Sequence, residues 1–96
     1  MTEAVYQAKL ISKLNDEFPN CVVLKNDAKY LQGIPDLVIF SGSKYAMLEV
    51  KISKNASHQP NQDYYVKKFD SESFASFIFP ENEDKVMSQL KVFFNK

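Results

Sequence analysis

The stretch GIPDLVIFSGSKYAMLEVK, Gly33 to Lys51, constrains the fold more than any other part of the chain. Two apolar runs, DLVIFS (Asp36–Ser41) and YAMLEVK (Tyr45–Lys51), are joined by the turn Ser41-Gly42-Ser43-Lys44. Strand-forming runs linked by a short glycine-bearing turn specify an antiparallel hairpin. The first run is apolar on both faces, which suits a central strand. A turn centred between Gly42 and Ser43 pairs Phe40 with Tyr45 and Asp36 with Glu49. Directly opposed residues share a face, with Cβ atoms ~4.5–5.5 Å apart. Two carboxylates so placed repel, and a shared proton, a lysine or a metal cation must offset that. Lys51, two residues past Glu49, lies on the same strand face.

The remaining elements follow from periodicity and punctuation. Thr2 to about Glu17 reads as a helix on the spacing of Leu10, Ile11, Leu14 and Phe18. Its apolar stripe extends back to Gln7 and Glu3, with Thr2 as N-cap. Glu3 therefore has two readings: a solvated first-turn acid that suits the helix dipole, or an acid turned inward for a reason. Cys21 to Asn26 is a strand candidate. Pro60 suits the start of a second helix reaching about Phe69. Phe74 to Phe79 is a fourth strand, either an inner strand or part of a dimer interface. Asn82 can cap a last helix striped by Val86, Leu90 and Phe93. The order helix–three strands–helix–strand–helix is expected to form an α/β (α+β) fold around a small mixed sheet.

Composition narrows the function classes. A chain of 96 residues is expected to form one domain, residues 1–96. It is 45% hydrophobic and 25% charged, which points to a globular chain rather than a disordered one. No apolar run approaches the ~20 residues that cross a bilayer. The start MTEAVYQAKL lacks the pattern of a signal peptide, so a cytoplasmic location is expected. The single cysteine, Cys21, is expected to be a buried free thiol. The formal net charge is zero, and all 12 basic residues are lysine. Without arginine there is no bidentate reading of guanine. Any DNA contact then depends on backbone and shape.

Asp36, Glu49 and Lys51 suit phosphodiester hydrolysis. Mg²⁺ takes hard oxygen ligands and is commonly held by one or two carboxylates with water and phosphate. Such an ion polarises a phosphoryl oxygen and lowers the pKa of a bound water. An ammonium nearby orients the water or steadies charge developing on phosphorus. His58 is the only histidine, which excludes a zinc site of His and Cys ligands. Gln62 lies on the inward face at the start of the second helix, and Gln59 competes for the same role. Lys54, Lys67 and Lys68 are the nearest candidates for phosphate contacts. Tyr64 and Tyr65 are candidates for stacking on bases, with at least one packed on the sheet.

Pro35-Asp36 followed by Glu49-Val50-Lys51 resembles the PD-(D/E)XK nuclease signature. More narrowly, GIPDLVIF…AMLEVK…QPNQDYYVKKF resembles the VRR-NUC branch, in particular its small stand-alone phage and prophage members. The resemblance spans roughly Glu3 to Phe79. It implies a restriction-endonuclease-like core and a nuclease dependent on Mg²⁺ or Mn²⁺. It implies Asp36, Glu49 and the Val50 carbonyl as metal ligands, with Glu3 joining from the first helix. Lys51 matches the catalytic lysine, and Gln62 the glutamine that opens the second helix. It further suggests action on DNA, including branched substrates such as four-way junctions, by a homodimer. A second reading is a non-catalytic nucleic-acid- or protein-binding module that keeps the fold, as zero net charge would suit. A third is a structural domain holding a buried ion cluster.

Overall fold

The computed structural model describes residues 1–96. Helix α1 (Glu3–Glu17) starts where the Thr2 hydroxyl accepts a hydrogen bond from Val5 N–H at 3.2 Å. Tyr6, Leu10 and Leu14, spaced four apart, form its buried stripe. Three strands follow as an antiparallel meander: β1 (Val22–Lys25), β2 (Leu37–Ser41) and β3 (Lys44–Val50). Helix α2 (Pro60–Glu72) then carries the chain across to β4 (Phe74–Ile78), which runs parallel to β3. A parallel neighbour requires such a crossover, since a tight turn can join only antiparallel strands. Helix α3 (Glu83–Phe94) follows. The sheet order β1-β2-β3-β4 makes β2 and β3 central and β4 an edge. The expected element order and mixed sheet are those observed.

The hairpin register is the expected one: Ser41 pairs with Lys44, Phe40 with Tyr45 and Leu37 with Leu48. Gly42 takes φ +62° while Ser43 stays negative, the signature of a type II′ turn. Alternation along the strands then sorts residues between two faces. Leu37, Ile39, Ala46, Leu48, Val50 and Ile78 point into one core with α1 and with Val86 and Leu90 of α3. Each fully buried Leu or Ile contributes roughly 1.5–3 kcal/mol relative to exposure. The alternate positions, including Asp36, Glu49 and Phe77, face the side on which α2 packs against β3 and β4.

Some details differ from expectation. The strand predicted from Cys21 is four residues long and begins at Val22; Cys21 is half-buried rather than buried. Asn82 precedes α3 without capping it by its side chain. Its amide turns back to β4, accepting from Phe79 N–H at 2.8 Å and donating to the Phe77 carbonyl at 3.0 Å. Ala75 N–H on the same edge donates to Asp70 at 3.1 Å. Opposite the site, Glu83 ties α3 to α1, accepting from the Tyr6 hydroxyl at 2.8 Å and from Lys13. Burial pushes the Glu83 carboxyl up, but these two donors and the Lys13 charge bring it below its ordinary value.

Gly33 fixes α2 against the loop that leads into β2. Its φ is +90°, and an added Cβ would lie 2.3 Å from the Asn61 Cβ and 2.8 Å from the Asn61 carbonyl carbon. Only glycine meets both conditions without strain. Gly33→Ala is expected to destabilise the fold by about 2–3 kcal/mol, read as a lower urea midpoint with an unchanged m-value.

Candidate active site

Pro35-Asp36 is clamped before β2 begins. Asn26, just past β1, donates its backbone N–H to the Asp36 carbonyl and its side-chain amide to the Pro35 carbonyl, each at 2.8 Å. The Asp36 carboxylate accepts from Val50 N–H at 2.9 Å. Glu49 lies one step beyond the last ladder pair, Leu37 with Leu48, and thus faces Asp36. Glu49 is 3% exposed and Lys51 7%. Two acids and an ammonium therefore share one water-poor corner.

Lys51 is held on three sides. Its ammonium donates to Gln62 Oε1 at 2.8 Å and to the Ser57 carbonyl at 3.1 Å, and lies 3.7 Å from Glu49 Oε2. Gln62 Oε1 also accepts from Gln59 N–H at 3.0 Å, which seats the glutamine in the first turn of α2. Between the two candidate glutamines, Gln62 is the one whose side chain reaches Lys51.

Burial raises the proton affinity of both acids. The Asp36 carboxyl is pushed up by desolvation, against the opposing pull of Val50 N–H and the Lys51 charge. Glu49 is pushed up to about 8, first by desolvation and then by the charge of Asp36, with Lys51 opposing. The donor set is thus a pair of hard oxygen ligands whose ionised forms are short of positive charge. That chemistry fits Mg²⁺ or Mn²⁺.

The other expected residues fall outside this corner. Glu3 is exposed rather than on the buried stripe, because the first turn of α1 projects past the core. The stripe runs through Tyr6, leaving Gln7 half-buried. The Glu3 charge still acts on Glu49, adding to its upward shift. No third Asp, Glu, His or Cys joins the pair to form a metal-binding cluster. Lys54 is exposed on the loop after Lys51, and Lys67 is exposed on α2. Lys67 is about 7.5 Å further along the helix axis than Gln62. Lys68 is paired with Glu72 at 2.9 Å. Tyr64 is 60% exposed, while Tyr65 is half-buried and stacks on Phe69.

Sequence reasoning missed two contributors. Asn26 and the Ser57 carbonyl gave no signal, since neither residue type nor spacing marks a clamp. His58 stacks on Phe77, with ring centroids 4.1 Å apart and planes 14° from parallel. Phe77 is the register partner of Glu49, a link legible only once the parallel pairing is known.

The fold resembles that of a Holliday junction resolvase. The structure of Hjc from the archaeal hyperthermophile Archaeoglobus fulgidus superposes with a TM-score of 0.54 at 16% sequence identity. The match covers 78% of this chain and 66% of that one. The likeness is one of fold: three helices around a four-stranded mixed sheet, the restriction-endonuclease-like arrangement. No family model matches the sequence, and no curated protein does.

The raised acids have a thermodynamic consequence. A carboxyl that holds its proton more tightly when folded takes up a proton on folding, so stability falls as pH rises. For Glu49 that window runs from the ordinary 4.5 to about 8. In EDTA, the melting temperature is expected to fall across this window. Glu49→Gln should flatten the dependence and raise stability at pH 8 by about 1 kcal/mol, or ~4–8 °C. Thermal melts at pH 5 and pH 8 check both.

Proposed function

We propose that this chain is a metal-dependent DNA endonuclease, structure-selective and acting on branched DNA such as four-way junctions. The observation that carries the reading is the apposition of half-buried Asp36 and buried Glu49 beside the thrice-held Lys51. The shared fold with a Holliday junction resolvase supports the substrate class. The GIPD and EVK motifs with Gln62 support a VRR-NUC-like affiliation of the small stand-alone phage type.

Asp36 and Glu49 would hold the cation, Mg²⁺ or Mn²⁺, with the Val50 carbonyl as a third oxygen and Glu3 acting from the rim. When bound, the cation supplies Lewis-acid polarisation of the phosphoryl oxygen and lowers the pKa of water. The protein's own groups do the rest. Val50 N–H fixes the Asp36 carboxylate. Gln62 and Ser57 orient the Lys51 ammonium. The Lys51 ammonium stabilises the negative charge that builds on the phosphoryl group. Because Glu49 and Lys51 are shielded from bulk water, these interactions are stronger than on an open surface. Lys54 and Lys67 lead the DNA backbone toward the site, with Lys68 contributing when it leaves Glu72. A homodimer would present two such sites to the two strands of a junction.

Wild type is expected to cut a labelled four-way junction in Mg²⁺ or Mn²⁺ and not in EDTA, and to prefer it to matched duplex. Lys51→Ala should lower kcat by about 10²–10³-fold, the scale of losing one charge-stabilising donor. Gln62→Ala should lower it less, since Ser57 still holds the lysine. A folded wild type that binds the cation yet cuts neither substrate would support the non-catalytic module instead.

A further inference from the structure

Lys51 has no capacity for another proton. An ammonium offers three N–H donors and no lone pair. Those donors face Gln62, the Ser57 carbonyl and Glu49. A water that attacks phosphorus must shed a proton, and Lys51 can steady the charge without accepting it. On the proposed reading, Asp36 and Glu49 are committed to the cation. His58 supplies an acceptor on the same face.

The imidazole is fixed in plane and in rotation. Phe77 stacks beneath it, and Phe77 is the register partner of Glu49 on that sheet face. Nδ1 lies 2.9 Å from Asp63 Oδ1. Asp63 follows Gln62 in the first turn of α2, while Ser57, next to His58, gives its carbonyl to Lys51. The side chain is 32% exposed, so water and a DNA strand can reach it. A carboxylate only accepts hydrogen bonds, so in the neutral ring the Asp63 contact places the proton on Nδ1 and the lone pair on Nε2.

We propose that His58, oriented by Asp63, is the base that takes the proton of the attacking water. This rests on the nuclease reading above. The water oxygen forms the new bond to phosphorus while its proton passes to Nε2. The phosphorus bond to the departing sugar oxygen breaks, and its electron pair stays on that oxygen. That oxygen takes its proton from solvent water, and Nε2 gives up its own to solvent, which restores the neutral ring. The charged group in contact with the imidazole is Asp63 on α2, while Lys51 reaches the neighbouring Ser57 carbonyl.

His58 is the only histidine, so its imidazole gives a single pair of ring-nitrogen signals in ¹⁵N NMR. The neutral ring is expected as the Nδ1–H tautomer in the metal-free wild type, shifting toward Nε2–H in Asp63→Asn. A wild type dominated by Nε2–H would overturn the proposal without any assay of cleavage. His58→Phe keeps a flat ring on Phe77 but cannot accept a proton. It is expected to keep the wild-type melting temperature and to lose about 10²-fold or more in kcat, with KM within ~3-fold. Asp63→Asn should lose less, about tenfold. His58→Phe that retains kcat, or that changes KM alone, sinks the base assignment while leaving the nuclease reading intact. If wild type cuts no DNA in Mg²⁺ or Mn²⁺, the nuclease reading falls and takes this step with it.

Discussion

Asp36 and Glu49 face each other across two strands with little water between them, and much of the neighbouring structure answers to that repulsion. Two unit charges ~5 Å apart repel by about 3 kcal/mol at an effective dielectric constant of ~20. A hydrogen bond to a charged group returns about 1.5–3 kcal/mol. The Val50 amide can therefore settle one carboxylate but not both. Lys51 is 3.7 Å from Glu49, and its shorter hydrogen bonds go to Gln62 and Ser57. The pair is left short of positive charge, which a proton or a divalent cation makes up.

Much of this was legible because the hairpin is local. Turn chemistry at Gly42 set the register, and register placed Asp36 opposite Glu49 before any tertiary contact was known. Pro60 marked where α2 begins and so brought Gln59 and Gln62 both into question; only the structure shows that Gln62 reaches Lys51. Glu3 was not legible, because helical periodicity says which way a side chain points but not where the core stops. The buried stripe on α1 starts at Tyr6, and Glu3, one turn earlier, is exposed. Asn82 misled for another reason. A cap position and a strand-edge position compete for one side-chain amide, and the backbone groups of β4 won.

The first turn of α2 ties together several pieces of the site. Gly33 lets the loop before β2 touch Asn61, and the next residue, Gln62, reaches the end of β3. Asp63 then reaches His58 on the connecting loop. Three successive residues of one helical turn thus link the acids, the lysine and the imidazole. The hydrophobic core lies on the other face of the sheet, under α1 and α3. Changes in that core are expected to act on stability, whereas changes around the first turn of α2 act on site geometry.

The side chains along β4 have a bearing on how copies of this chain can meet. A sheet edge normally offers a row of free amides and carbonyls to any extended peptide. Here the Ala75 and Phe79 amides and the Phe77 carbonyl are already occupied by Asp70 and Asn82. Those two residues mimic a fifth strand without extending the ladder. Growth of the sheet by strand addition is thereby discouraged at β4, leaving the four-residue β1 as the unguarded border. Any pairing of copies by strand addition would therefore fall to β1.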